Sequence, residues 1–326
     1  MHKLSNSIMI LFLSLLIMIP LASSAEDKSN STNDSPTALS AEEAEEEAEE
    51  EAEEEEAEEK SAILVVSFGT SMPEARKAID NLVNSAKKNF PKCEVRLAFT
   101  SNIIRRKLAQ ETKEIIPNPV QALATLNDEG FKKVYVMPTH MIPGEEYDEL
   151  YSVVDAFYSL DGKYGFDNLS LGYPFMNGTE DCERMADILI ARFKKQLEDK
   201  DTAIILMGHG TSEHFANALY SQLQLMLDKK AYGRFFVGTV EAMPEIDDVI
   251  AKLKRHSEVK KLVLSPLMIV AGDHANNDLA GEDDDESWLN VLKANGYENI
   301  TTYLVGLGED ENIAADFVKK IHELMD

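Results

Sequence analysis

Hydrophobic and polar positions repeat on one plan from residue 61 onward. Ala62–Ser71 reads AILVVSFGTS and Ala203–Ser212 reads AIILMGHGTS. Each is an apolar run that ends in a glycine-containing turn, the pattern of a buried strand feeding a helix. A second pair lies at residues 132–146 (KKVYVMPTHMIPGEE) and 260–274 (KKLVLSPLMIVAGDH). At an offset of 128, Lys132 falls on Lys260, Pro138 on Pro266, Gly144 on Gly272, Glu145 on Asp273 and Glu146 on His274. Val95–Thr100 and Phe235–Val240 repeat as second strands, and Leu169–Gly172 and Tyr303–Gly306 as last strands. Amphipathic stretches at Pro73–Asn89, Pro119–Glu129, Arg184–Leu197 and Ile246–Arg255 read as helices between them. The alternation predicts an α/β fold of two duplicated lobes, 61–198 and 199–326. Each is a parallel sheet flanked by helices, with the loops at the strand carboxyl ends meeting at one cleft.

Residues 1–60 break the pattern. Lys3 precedes an apolar run from Ile8 to Leu21, and the small residues Ala22-Ser23-Ser24-Ala25 follow. This is the layout of a secretory signal peptide over residues 1–25, so the mature chain is expected to be exported, to a periplasm or beyond. The run falls short of the roughly 20 apolar residues a spanning helix needs, so no stable membrane span is expected after cleavage. Residues 26–60 form a linker: Ser, Asn, Thr and Asp dominate first, then 41–59 hold only Ala and Glu. Like charges at i,i+4 repel, so this acidic tract is expected to be a solvated spacer.

Charge and cysteine count narrow the function. The chain has 326 residues, 44% of them hydrophobic, which is enough for a substantial core. Residues 1–60 hold three lysines against seventeen acids, a balance of −14 that leaves −13 of the total −27 for residues 61–326. An acidic body with no basic tail excludes a nucleic-acid partner. Two cysteines exclude a disulfide framework and a cysteine-rich zinc site; whether Cys93 and Cys182 pair is left open. Gly208-His209-Gly210 lacks a third glycine at Glu213, and no G-x-S-x-G turn occurs, so no nucleotide cofactor is expected.

The candidate chemistry sits at strand ends. Of seven histidines, His2 is in the leader, and His256 and His322 lie on charged helical stretches and are expected to be solvated. His140, His209 and His274 end strands, with His214 one turn past His209. Any one of these alone is more often structural. Together, His209, His274 and Glu146 can converge on the cleft as two imidazoles and one carboxylate, a borderline site for Fe, Co, Ni or Zn with open positions. Ser67, Thr70 and Ser71 in one turn, and Gly210, Thr211 and Ser212 in the other, either expose N–H groups to an anion or cap helices. Arg105, Arg106 and Lys107 either meet an anionic ligand or form a solvated basic face. The acidic loop Glu282–Glu286 lacks the spacing of an EF-hand.

These residues bring the sequence to a known family. SFGTS at 67–71, AFTSNIIRRKL at 98–108, HMIPGEEYDEL at 140–150, MGHGTSEH at 207–214, VEAMPEID at 240–247 and PLMIVAGDHANNDLAGEDDDESW at 266–288 resemble the anaerobic sirohydrochlorin cobaltochelatases of the CbiK type. The resemblance runs from about Ala62 to the C-terminus. It implies two α/β lobes clasping a tetrapyrrole, in the manner of class II chelatases. It implies an enzyme that inserts Co2+ into sirohydrochlorin for cobalamin synthesis, with Fe2+, Ni2+ and Zn2+ left open as metals. It implies that His209, His274 and Glu146 hold the metal and that His140 lies near the cleft. A homo-oligomer is compatible with it. Tetrapyrrole synthesis is usually cytoplasmic and this chain has a leader, so the alternative is an exported metal- or tetrapyrrole-binding transport protein without turnover.

Overall fold

The structure is a computed structural model that describes residues 60–326. The signal peptide expected over residues 1–25 and nearly all of the linker expected over 26–60 lie outside the described residues.

Two four-stranded parallel sheets form the frame. The first holds β1 (Ser61–Ser67), β2 (Glu94–Phe99), β3 (Lys133–Pro138) and β4 (Asn168–Leu171) in the order β2-β1-β3-β4. The second holds β5 (Thr202–Gly208), β6 (Phe235–Thr239), β7 (Lys261–Pro266) and β8 (Asn299–Thr302) in the order β6-β5-β7-β8. The duplication extends to register. Pro138 closes β3 opposite Val66, and Pro266 closes β7 opposite Met207. Proline cannot donate to the ladder, so each chain leaves its sheet there. Strand β8 ends at Thr302, before the Tyr303–Gly306 segment expected to be the last strand. Its Asn-Ile-Thr-Thr sequence is largely exposed at the sheet edge and carries no apolar run, which hid it in the pattern.

The helices form where the pattern places them. In Pro73–Asn89, proline stands in the first turn and Ala75, Ala78, Ile79, Leu82 and Ala86 make one buried stripe. Pro119–Asp128 starts from a capping box between Asn118 and Gln121. Residues 184–197 divide differently, into Thr179–Arg192 and a short turn Lys194–Leu197.

The final helix of each half packs on the other lobe. Thr179–Arg192, in the segment read as the first lobe, lies against Ala218–Ala231 of the second. Glu311–Met325, at the chain end, lies against Pro73–Asn89 and β3 of the first. Ion pairs tie these exchanged helices together: Arg184 to Asp316 at 2.5 Å, Lys320 to Asp181 at 3.1 Å and Arg192 to Asp310 at 3.0 Å. Phe175 stacks on Phe317 with centroids 6.1 Å apart. One apolar core therefore runs through both lobes, joining Ile63, Val65 and Met137 to Ile204, Leu206 and Phe317. Cys93 and Cys182 are free thiols. No helix among the described residues is long and apolar enough to cross a membrane.

Candidate metal centre

Strand β5 runs straight into the turn Gly208-His209-Gly210-Thr211. Gly210 adopts a left-handed φ of +85°, and a Cβ there would meet Ala242 at 2.9 Å. Only glycine turns the chain this sharply without strain, so His209 is projected off the strand end. Its Nδ1 lies 2.8 Å from the Gly210 carbonyl. His274 follows β7 at the start of a helix whose next turn is π-helical over Ala275–Leu279. That turn brings the Asp278 carboxylate 2.8 Å from His274 Nδ1. In the tautomer that donates Nδ1–H to these acceptors, each Nε2 keeps its lone pair for a cation. The two rings stand nearly perpendicular with centroids 4.6 Å apart.

The third member is Glu241. Its backbone N–H donates to the His209 carbonyl at 2.9 Å, and its carboxylate lies 3.8 Å from His209 Nδ1. One potential ligand atom from each of His209, Glu241 and His274 lies within 4.8 Å of the others, the one such group among the described residues. Their side chains are 43%, 49% and 39% exposed. Closed structural zinc sites bury four ligands, whereas this arrangement is open and lets a cation enter and leave.

Glu146, expected as the carboxylate ligand, lies outside this group. It accepts a hydrogen bond from Thr100 Oγ1 at 2.8 Å on the first lobe's wall. Burial pushes its carboxyl up; the Thr100 bond opposes this, Glu149 and Glu145 add to it, and His209 pulls the other way. Glu241 went unread because VEAMPEID offers several acids, Glu241, Glu245 and Asp247 among them, with Asp248 following. The β5–β6 register, with Gly208 opposite Thr239, is what sets Glu241 beside His209. Sequence alone carries no such signal.

A cavity of about 770 Å3 extends from this group to the first lobe. Of the expected residues, Ser67, Thr70, Ser71, His140, Glu146, Gly210 and Thr211 all line it. Arg105 does not, because its guanidinium donates to Ile116 O, Asn102 Oδ1 and Gln121 Oε1; Lys107 lines the cavity instead. The Thr211 amide donates to Asn217 Oδ1 at 3.0 Å, so that N–H is not free for an anion. Thr70 Oγ1 accepts the Met72 amide at 3.1 Å, a local turn bond. Neither ring nitrogen of His140 has a partner, and burial pushes its imidazole down to about 4, so it is neutral at pH 7. His256 is only 13% exposed, tucked against Tyr232, Phe236 and Glu258 rather than solvated as expected. The Glu282–Glu286 loop is exposed throughout.

The lobes also meet beside the cavity. Thr211 Oγ1 accepts the Glu145 amide at 3.3 Å, and His214 Nε2 lies 3.2 Å from Asp148 Oδ2.

Comparison with known proteins matches this architecture. The solved structure of SirB from Bacillus subtilis with Fe3+ has a TM-score of 0.55 and 15% identity, covering 81% of this chain and 95% of that one, a likeness of fold. A sirohydrochlorin cobaltochelatase of Salmonella typhimurium is 36% identical over 82% of this chain and 97% of its own length. The sirohydrochlorin cobaltochelatase CbiKC of Nitratidesulfovibrio vulgaris is 33% identical over 73% of this chain and 81% of its own. The profile described as Cobalt chelatase (CbiK) matches residues 61–326, the whole of the described body, and the chain belongs to that family.

Proposed function

We propose that this protein is a sirohydrochlorin cobaltochelatase, which takes Co2+ and sirohydrochlorin and releases the cobalt tetrapyrrole with two protons. The observation that carries this reading is the open His209–Glu241–His274 group on the wall of a cavity between two chelatase-type lobes. Two imidazoles and a carboxylate suit a borderline cation such as Co2+. Three half-exposed ligands hold it without closing its coordination shell, so the macrocycle nitrogens can replace them one by one. The reaction conserves charge: one dication enters the ring as two pyrrole protons leave. Glu146, whose carboxyl burial holds above the usual range, is a group on the opposite wall suited to take a proton. His140 is a weaker base, since burial disfavours its charged form. Lys107 can meet a peripheral carboxylate of the substrate. We also propose that the chain acts after export, on the strength of the apolar run and small-residue site in residues 8–25.

The test is anaerobic incubation of the purified chain with Co2+ and sirohydrochlorin, followed by absorbance of the metallated product. Turnover well above the spontaneous rate is expected, with at least tenfold losses in His209→Ala and His274→Ala. A parent protein that binds both partners and never metallates would overturn the enzyme reading in favour of transport.

A further inference from the structure

The two lobes share a backbone plan but present different chemistry at the same three positions. In the second lobe, Val240 N donates to Gly208 O at 3.1 Å and Glu241 N to His209 O at 2.9 Å. In the first, Thr100 N donates to Ser67 O at 2.9 Å and Ser101 N to Phe68 O at 3.2 Å. These matching bonds set Phe68 at the place of His209 and Ser101 at the place of Glu241. Gly69, with φ +101°, mirrors Gly210 and projects Phe68 off β1 as His209 is projected off β5. Glu146 stands eight residues past Pro138, as His274 stands eight past Pro266. Where one lobe offers His, Glu and His, the other offers Phe, Ser and Glu. Ser101 is engaged in capping Ile104 N at 3.4 Å.

Phe68 is 47% exposed, although a phenyl ring gains by burial. Met72 at 37% and Ile103 at 78% are exposed beside it, and all three line the cavity that holds the metal ligands. An apolar surface on the wall of a site, continuous with polar ligands on the other lobe, fits a flat ligand with an apolar face and a metal-binding centre. A cavity of about 770 Å3 is of the size that takes such a molecule.

We propose that Phe68, flanked by Met72 and Ile103, is the stacking platform for one face of the tetrapyrrole macrocycle and holds its nitrogens toward His209, Glu241 and His274. This rests on the chelatase reading above and adds the residue that positions the organic substrate. The lobe with the two histidines holds the metal, and the lobe with Phe68 at the place of His209 holds the ring.

The experiment titrates metal-free sirohydrochlorin into the full chain without cobalt, read by the ligand's own absorbance and fluorescence. Phe68→Ala should weaken that binding about three- to tenfold, the effect expected for loss of one aromatic stack. Phe68→Trp should retain it. Calorimetric Co2+ affinity should be unchanged in both, and circular dichroism should show the parental fold. Ile115→Ala, an exposed apolar residue outside the cavity, should bind as the parent does. Parental sirohydrochlorin affinity in Phe68→Ala overturns the platform, as does an equal loss of Co2+ affinity. Because the titration uses no metal and no turnover, failure of the chelatase reading is a separate result: a parent that binds the ring and never metallates it.

Discussion

Each metal-centre imidazole has its Nδ1 occupied, His209 by a backbone carbonyl and His274 by Asp278. The Asp278 carboxylate orients the His274 ring through Nδ1 and leaves Nε2 for a cation, and loss of such a partner typically costs 10–100-fold in metal affinity. Asp278→Asn should therefore weaken Co2+ binding about tenfold by calorimetry while the unfolding midpoint stays put; an unchanged affinity would remove Asp278 from the site. Glu241→Ala should weaken Co2+ binding more than Glu146→Ala does, because only Glu241 stands among the three clustered ligands. The histidines were legible as residues at strand ends, where α/β proteins put their chemistry. Glu241 was not: register, which no single sequence prints, chose it over neighbouring acids. His140 makes a different forecast. Its folded-state pKa, about 4, lies below the ordinary value of 6.5, so the unfolded chain takes up a proton that the folded chain refuses. Stability from this group is full above the unfolded value and is lost as pH falls from 6.5 toward 4. Between pH 7.5 and 5 the loss is roughly 2 kcal/mol. His140→Met, which copies Met268 at the duplicate position, should abolish that part of the difference in urea unfolding at the two pH values. An equal acid loss in parent and variant would show that His140 does not titrate this way.

Exchange of helices decides how the lobes share stability. Most strands and the cleft between the lobes followed from the repeat, because a buried parallel strand leaves an unbroken apolar run; the order of the strands in each sheet came from the structure. The partners of Thr179–Arg192 and Glu311–Met325 did not follow, since an apolar stripe says that a helix packs and not on which sheet. Phe317 shows the consequence: it comes from the chain end, is fully buried, and joins residues of both lobes in one core. Phe317→Ala should cost about 3–5 kcal/mol. It should do so through one cooperative transition, because the helix that carries Phe317 completes the first lobe while its chain belongs to the second half. Two resolved transitions in differential scanning calorimetry, with only one shifted, would show that the lobes fold separately and that the exchange is superficial.

At the scale of the molecule, the two substrates meet the same charge with opposite results. The formal net charge is −27, and about half of it sits in the acidic linker. Such a field raises the local concentration of a dication and opposes approach of a polycarboxylate such as sirohydrochlorin. The apolar platform and Lys107 lie on the first lobe, where burial of the ring face can offset that repulsion, and the clustered His209, Glu241 and His274 lie on the second. Salt shortens the reach of the field from about 30 Å at 0.01 M to about 8 Å at 0.15 M. Raising ionic strength across this range should therefore lower kcat/KM for Co2+ and, in the same protein, lower KM for sirohydrochlorin, each by several-fold. Initial rates measured with one substrate varied and the other saturating separate the two effects, and choline perchlorate as the salt avoids competition from chloride for cobalt. If kcat/KM moved in the same direction for both substrates, salt would be acting on the chemistry or on the fold, and long-range charge would not sort the two substrates to their two walls.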